Sequence, residues 1–336
     1  MGIYRCNGCG YVAELASDNG VAVACPRCGR ENPVYDTIFF VRKLLEKYFA
    51  LRSAYKQIQA ELDNSESVQT ADAVSSAPTP TDARLDGIDL HNTNLLSTDE
   101  QHRPINAWFA AKKIAVTFNC KAIDTSGFFD EAAMEIGRNL DFYKPVLDQI
   151  RFAQMRGFSQ VNIALDKRAQ KDAQTLVGFC RQLYEYSLLA KCFYQKTERV
   201  LRLSLQPSAP VRDFFSGEWL EWFALMQTLE LCQELRVEFS CARNLSVVFP
   251  NEDSHELDLF WLVNAERPVC IECKSGEFRP LIAKYTSLSK RLGLPKDRFV
   301  LCVAGLAEEQ AKGLSSMYEI TLVSEKGLKA HLATLT

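Results

Sequence analysis

Several features that would assign a function class are absent from this sequence. It has no apolar run long enough to cross a membrane, and its first residues, MGIYRCNGCG, lack the basic and apolar regions of a secretory signal peptide. It has neither a GxGxxG motif nor a P-loop, which removes two common signs of nucleotide binding. The net charge is -3, so any nucleic-acid binding needs local basic patches. We expect a cytoplasmic protein with no membrane partner.

Cysteine, in contrast, is abundant. The 12 cysteines of a chain without a secretion signal indicate a reducing compartment. Four of them form two CxxC pairs, Cys6–Cys9 and Cys25–Cys28, each followed by glycine, in the spacing C-x2-C-x15-C-x2-C. This motif resembles a zinc ribbon over residues 1–35, and four thiolates form a closed, structural Zn²⁺ site. A disulfide or a redox CxxC fits the doubled spacing poorly. The ribbon's target, nucleic acid or a protein partner, stays open.

A heptad pattern follows the cysteine motif. Apolar residues alternate three and four positions apart: Val41, Leu44, Tyr48, Leu51, Tyr55, Ile58 and Leu62. This spacing is typical of a coiled-coil seam and predicts a homodimer. A single amphipathic helix packed on its own chain explains the pattern equally well, because Leu45 and Phe49 widen the apolar face. Residues 63–104 are rich in Ser, Thr, Pro and Asp, which predicts a disordered linker.

Strand and helix signals alternate in residues 105–207. The pattern predicts three strands and two helices, at 114–118, 142–155, 160–165, 172–194 and 200–205. This order favours a small α/β domain with a Rossmann-like sheet. Lys167, Arg168 and Lys171 follow the second strand, at a position where α/β sheets bind ligands. They indicate either a degenerate ligand sensor or a solvated start of the next helix.

The most informative stretch is 255–276, HELDLFWLVNAERPVCIECKSG, in which two apolar runs flank turn residues. It predicts two adjacent strands, with Asp258 at the start of the first. Glu272 and Lys274 share one face of the second, because successive side chains alternate. Charges in such apolar strands need a partner, and carboxylates are the hard oxygen ligands that Mg²⁺ or Mn²⁺ prefers. We therefore predict that Asp258 and Glu272 bind a catalytic metal and that Lys274 orients or deprotonates the attacking water.

The elements around this stretch complete an order known from one class of enzyme. The predicted helices are 216–235 and 279–292. The other strand-like runs are 237–239 with 245–249, which count as one strand, and 298–304. The order α-β-β-β-α-β, with Asp on one strand and Glu-x-Lys on the next, resembles the core of the PD-(D/E)xK nuclease superfamily, a restriction-endonuclease-like fold. The resemblance implies that Glu221, on the first of these helices, is a further carboxylate of the metal site.

Four segments narrow the resemblance: GEWLEWF, HELDLFWL, VCIECKSGEF and the basic helix before Gly293. They are similar to the nuclease domain of the CRISPR-associated CARF-fused nucleases. The catalytic positions of that family map onto four residues: Glu221, Asp258, Glu272 and Lys274. The resemblance also implies paired nuclease domains, and we expect Lys284, Lys290 and Arg291 to hold substrate phosphates. This chain departs from the family at its front, where a zinc-ribbon-like head stands in place of an obvious cyclic-oligoadenylate sensor.

Together these signals predict an α/β multidomain protein. Its five expected regions are a zinc ribbon at 1–35, a helix or coiled coil at 36–62, a linker at 63–104, a small α/β domain at 105–207 and a nuclease-like domain at 208–336. The predicted function is a Mg²⁺- or Mn²⁺-dependent endonuclease that cleaves DNA, or RNA, in defence against foreign nucleic acid. The alternative is a non-catalytic scaffold that binds nucleic acid or protein. A third interpretation, a ligand-gated effector, requires a small molecule bound by the middle domain.

Overall fold

The structure is a computed structural model that describes residues 2–5, 12–15, 22–33, 35–36, 98–119, 128–250 and 253–336. The chain divides into two compact units, Met1–Ala77 and Pro78–Thr336. Among the described residues, no helix has the length and apolar character needed to cross a membrane.

The described residues of the N-terminal unit form short antiparallel strands. They are β1 (Gly2–Arg5), β2 (Val12–Leu15), β3 (Ala22–Ala24), β4 (Glu31–Pro33) and β5 (Tyr35–Asp36). β1 lies between β2 and β5, and β3 pairs with β4. The turn between β3 and β4 holds Cys25, which is buried, and Cys28, which is exposed. The predicted zinc ligands Cys6 and Cys9, and the heptad residues Val41–Leu62, lie outside the described residues.

The C-terminal unit contains nine further strands and nine α-helices among the described residues. In chain order they are α1 (Asp99–Ala111), β6 (Ala115–Thr117), α2 (Phe128–Arg138), α3 (Leu140–Met155), β7 (Gln160–Ala164), α4 (Gln170–Glu185), β8 (Leu189–Gln195), β9 (Val200–Leu205), α5 (Ala209–Asp213), α6 (Trp219–Leu235), β10 (Phe239–Val248), β11 (Ser254–Val263), β12 (Arg267–Lys274), α7 (Ile282–Leu292), β13 (Phe299–Val303), α8 (Glu308–Met317), β14 (Thr321–Ser324) and α9 (Leu328–Ala333).

A six-stranded mixed sheet organises this unit, in the order β14-β13-β12-β11-β10-β6. β10, β11 and β12 are antiparallel, whereas β12, β13 and β14 are parallel, and the short β6 closes the edge antiparallel to β10. The run α6-β10-β11-β12-α7-β13 has the predicted order of one helix, three strands, one helix and one strand. The two strand-like runs 237–239 and 245–249 are joined by one long strand, β10.

Helices cover both faces of this sheet. On one face α6 packs against Trp261 and Ile271, and α2 and α9 enclose it from outside. A helix enclosed in this way must be apolar on almost all sides, which accounts for the run WLEWFALMQTLELC. Gly137 lets α2 approach α6 closely, because a Cβ there would lie 2.2 Å from a ring atom of Phe223. On the other face, α1, α7 and α8 pack on a second apolar cluster around Phe260.

The middle region differs from its prediction. β7, β9 and β8 form an antiparallel three-stranded sheet, not the parallel sheet of a Rossmann-like domain. The predicted helix 172–194 is two elements, because α4 ends at Glu185 and the chain reverses at Ser187, whose φ is 59°, into strand β8. Apolar residues of α3, α4 and this sheet share one continuous core with α6, so the region packs directly on the larger sheet's helix layer.

The prediction for the start of the C-terminal unit also needs correction. α1 begins at Asp99, within the stretch 63–104 that was expected to be a linker, and the Thr98 side chain caps it by accepting a hydrogen bond from the Gln101 amide. Ile105 and Phe109 of α1 pack in the second apolar cluster, and β6 pairs with β10. β6 is therefore a strand of the six-stranded sheet and α1 packs on that sheet, so neither belongs to a separate middle domain.

Candidate active site

Asp258 and Lys274 meet where β11 and β12 separate. The ladder between these strands ends at the pair Leu259–Ile271. Beyond it, Asp258 Oδ2 accepts a hydrogen bond of 2.7 Å from the Cys273 amide, in place of a backbone acceptor. The Lys274 ammonium lies 3.6 Å from the same oxygen. The structure thus brings together two residues that are separated by a hairpin, as the sequence predicts.

A break in the alternation of side chains along β11 determines which way the Asp258 side chain points. Leu257 and Leu259 are two residues apart, yet they belong to the apolar clusters on opposite faces of the sheet. On β10 the residue between the pairs Arg243–Leu259 and Leu245–Leu257 is Asn244, whose φ is 52°. A left-handed residue in a strand shifts the alternation of side chains, and Asn tolerates this conformation better than most residues.

Glu272 is the most deeply buried acid of the predicted site, with 3% of its surface exposed. Its Oε1 is buried and accepts no hydrogen bond from any described group. Burial, and then repulsion by Asp258, raises the pKa of Glu272 well above its ordinary value. A buried acceptor without a donor is destabilising, and a cation near it would satisfy it. This carboxylate therefore fits a divalent metal.

The described residues also limit how such a metal is held. No three His, Cys, Asp or Glu side chains among them stand close enough together to hold an ion as they are placed. Mg²⁺ keeps several water ligands and is often bound through one or two carboxylates. The donor set of Asp258 and Glu272 is compatible with that mode.

Glu221 pairs with an arginine that the sequence analysis missed. Arg243 donates to Glu221 Oε2 at 3.1 Å, its side chain is 4% exposed, and its guanidinium stacks 3.8 Å from the Trp222 ring centroid. Burial and then repulsion by Asp258 raise the pKa of Glu221 to about 8, while Arg243 opposes this. A signal existed, since Arg243 is a charge inside the otherwise apolar or small run FSCARNLSVV.

Lys274 keeps its proton. Burial alone would lower the pKa of Lys274, but attraction to Asp258, and then to Tyr285 and Glu272, outweighs burial and raises the pKa above its ordinary value. The Tyr285 ring centroid lies 6.0 Å from the ammonium. Lys274 is therefore a cation at neutral pH. It is suited to binding negative charge and orienting water, and not to removing a proton from water.

An open cavity of about 410 Å³ lies beside these residues. Its lining includes both cations and acids: Arg151, Asp213, Glu218, Glu221, Lys274 and Glu277. Asp258 and Glu272 do not line this cavity. Asp258 contacts two residues that do, because it accepts a hydrogen bond from the Cys273 amide and pairs with the Lys274 ammonium. At its rim the Ser275 hydroxyl donates to the Ser216 carbonyl at 3.3 Å. Gly217 is required there, because a Cβ would lie 2.6 Å from Ser275 Oγ.

The three predicted phosphate-binding residues lie elsewhere on α7. Lys284, Lys290 and Arg291 are not among the described residues that line the cavity. Arg291 pairs with Asp253 at 3.0 Å and lies 3.2 Å from His255 Nε2. Of the three, Lys284 is near enough to lower the pKa of Glu272 slightly against the larger effect of burial.

The other predicted sites are placed as follows. Lys167, Arg168 and Lys171 lie on the connection from β7 into α4, and Arg168 lies 6.0 Å from the Phe142 ring centroid. In the N-terminal unit, the Gly29 amide donates to the Cys25 carbonyl at 2.8 Å, which closes the turn that carries Cys28. Two of the four predicted zinc ligands lie outside the described residues, so the zinc site stays a prediction.

Comparison with known proteins gives partial structural likeness. No protein-family model matches the sequence, and no curated protein matches it. Protein VC1899 from Vibrio cholerae matches 68% of this chain and 59% of its own, with a TM-score of 0.46 and 18% identity. Can2 from Sulfobacillus thermosulfidooxidans, determined in complex with cyclic tetra-adenylate, matches 69% and 60%, with a TM-score of 0.48 and 15% identity. This chain spans less than two thirds of either protein, and likeness at this level assigns no activity or ligand.

Proposed function

We propose that this protein is a Mg²⁺- or Mn²⁺-dependent endonuclease that hydrolyses phosphodiester bonds, with DNA favoured over RNA as substrate. One observation carries the proposal. Asp258 is held between the Cys273 amide and the Lys274 ammonium, and Glu272 on the same strand as Lys274 has a buried oxygen without a donor. Carboxylates next to a lysine cation, beside an open cavity, suit the hydrolysis of a phosphate ester with a metal.

In this proposal each residue has a defined task. Asp258 and Glu272 would hold the metal, assisted by the Cys273 carbonyl, and Glu221 would complete the shell or hold a metal-bound water. The ion supplies Lewis acidity at phosphorus and activates water when it is bound. Lys274, which keeps its proton, orients the attacking water and stabilises the charge that develops on the phosphate oxygens. Arg243 holds Glu221 in place from the side of β10.

The sequence resemblance supports further proposals about the context of this activity. It favours a cytoplasmic, CRISPR-associated nuclease that acts against foreign nucleic acid as a homodimer. Lys284, Lys290 and Arg291 are proposed to contact substrate phosphates, although Arg291 must then leave or share its pairing with Asp253. Cys6, Cys9, Cys25 and Cys28 are proposed to bind one structural Zn²⁺, and the resulting ribbon to bind nucleic acid or a protein partner.

The non-catalytic alternative has one observation in its favour. A guanidinium already neutralises Glu221, and no described set of three acids converges on a common point. A scaffold that has kept the fold but lost its metal would show such compensation. Binding without cleavage is the result that this alternative predicts.

The deciding experiment is a cleavage assay on a substrate panel. Purified protein is incubated with labelled single- and double-stranded DNA and RNA in Mg²⁺, Mn²⁺ or EDTA. We expect cleavage of at least one substrate with metal and none with EDTA. Retention of labelled substrate without cleavage in every metal would favour a scaffold that binds nucleic acid. Neither binding nor cleavage would overturn the nuclease proposal and leave only a scaffold that binds protein.

A further inference from the structure

Arg151 brings an unpaired cation to the catalytic cavity from outside the nuclease-like core. It lies on α3, which packs against the three-stranded sheet, and it lines the same cavity as Glu221 and Lys274. Its guanidinium lies against Gly276, so that a Cβ on Gly276 would be 3.5 Å from Arg151 Nη2. Because position 276 is glycine, this residue has no side chain that could cover the guanidinium.

The other cations of the site already have partners. Lys274 is 3.6 Å from Asp258, Arg243 is 3.1 Å from Glu221, and Arg279 is 3.1 Å from Glu277. The Arg151 side chain forms no ion pair and no hydrogen bond with any residue that the structure describes. Asp213 and Glu218 line the same cavity, so acids are present without being paired to it.

The charge of the cavity explains why such a cation is needed. Acids outnumber cations in its lining, and a polyanion that enters an acidic cavity is repelled. A guanidinium presents a planar fork of donors that matches two oxygens of one phosphate. An unpaired arginine at this position offsets the repulsion and gives the entering backbone a defined position relative to Lys274.

The helix that carries Arg151 is well anchored. Ile150 is fully buried and Ala153 is buried, so the residues on either side fix α3 against the core. Arg151 itself is partly exposed. Its backbone is therefore rigid while its side chain stays accessible, as a substrate-positioning residue requires.

We propose that Arg151 binds a backbone phosphate of the nucleic-acid substrate next to the one that is cleaved. This inference rests on the proposed nuclease function and adds to it a substrate-binding residue supplied by the helix layer of the three-stranded sheet. Arg151 acts on binding and alignment, and it takes no part in bond cleavage.

The test compares two arginines of one helix. Arg156 caps the C-terminus of α3, is exposed, and stacks over Phe152 outside the cavity. Binding of labelled DNA and RNA is measured in Ca²⁺ at several KCl concentrations for the wild type, Arg151→Gln, Arg151→Lys and Arg156→Gln. Thermal unfolding of each variant confirms that it is folded.

We expect Arg151→Gln to weaken binding about tenfold and to reduce the slope of log Kd against log salt by ~0.7–0.9, the value of one phosphate contact. Arg151→Lys should restore the salt dependence of binding but only part of the affinity, because lysine lacks the planar fork of guanidinium donors. In Mg²⁺ the KM of Arg151→Gln should rise about tenfold while kcat changes less than about threefold. Arg156→Gln should match the wild type.

The outcomes separate this inference from the function on which it rests. If the wild type cleaves and Arg151→Gln equals Arg156→Gln in affinity and salt slope, the inference is wrong and the nuclease proposal stands. If the wild type binds nucleic acid without cleaving it, the salt slope still decides the role of Arg151. If the wild type neither binds nor cleaves any substrate, both proposals are overturned.

Discussion

Two groups of buried charge at the β10–β12 part of the sheet are neutralised in different ways. Arg243 and Glu221 form a closed pair at 3.1 Å, with the guanidinium stacked on Trp222. Glu272, in contrast, keeps a buried oxygen without a donor among the described groups. The closed pair already contains a cation, whereas the unsatisfied carboxylate destabilises the fold until a cation reaches it. The comparison separates an acid whose cation is supplied by the protein from an acid that is open to a metal.

The largest expected effect concerns the proposed metal ligands Asp258 and Glu272. Asp258→Asn should reduce cleavage by about 100-fold or more, ~3 kcal/mol on the barrier, because the amide still accepts from the Cys273 amide but no longer neutralises a metal. Raised Mn²⁺ should restore part of the activity. A cleavage time course over a metal titration measures this. The control is Asp148→Asn, an exposed acid paired with Lys144. Equal activity of both variants would contradict the role of Asp258.

The closed pair should respond in stability. At a pH above about 8, where Glu221 is ionised, Arg243→Met leaves a buried carboxylate without its cation and should lower the free energy of unfolding by about 3 kcal/mol. Arg202→Met, which breaks an exposed pair with Glu198, should cost at most about 1 kcal/mol. Urea unfolding in EDTA compares them. Similar losses in the two variants would show that Arg243 does not hold Glu221 as the distance indicates.

Removing the negative charge of Glu272 should have the opposite sign. Glu272→Gln removes a buried carboxylate, so metal-free stability should stay equal or rise by about 1 kcal/mol. The rise in Tm that Mn²⁺ gives the wild type should disappear, because the ligand charge is gone. Glu266→Gln, on the exposed turn between β11 and β12, is the control. An unchanged Mn²⁺ effect in Glu272→Gln would exclude Glu272 as a metal ligand.

A smaller effect concerns pH. Burial and then Asp258 raise the pKa of Glu221 from 4.5 to about 8. The folded state therefore binds a proton that the unfolded state has lost between these values. The resulting stability is complete below about pH 4.5 and is lost as the pH rises through about 8. In EDTA the Tm of the wild type should fall over this range more steeply than that of Glu221→Gln. Parallel curves would contradict this assignment.

The sequence predicts the three charges of the β11–β12 hairpin better than the pair of Arg243 with Glu221, for physical reasons. Asp258, Glu272 and Lys274 are charges in long apolar strands joined by a short turn, so local pattern alone brings them together. Their catalytic roles stay a prediction. Arg243 was missed because only 237–239 and 245–249 were interpreted as strand-like, which left the arginine between the two runs. Both segments are one strand that changes its alternation at Asn244.

Features that depend on distant parts of the chain were not predictable. The pairing of β6 with β10 joins Val116 to Val247, and no local signal indicates it. The reversal at Ser187 was missed because apolar residues continue at helical spacing into β8. Arg151 reaches the cavity only because α3 packs against Phe214–Glu218, the segment before α6, a contact that periodicity cannot show.

Lys274→Ala is the most direct test of the central claim, that the end of β12 is a nuclease active site. Loss of its ammonium, 3.6 Å from Asp258, removes a charge that acts mainly in the transition state. A cleavage time course in Mg²⁺ is run beside a gel-shift titration in Ca²⁺, with Lys312→Ala on the exposed face of α8 as control. The account predicts a loss of cleavage of about 1,000-fold, with binding and Tm close to wild type. Cleavage by Lys274→Ala at the wild-type rate would contradict it.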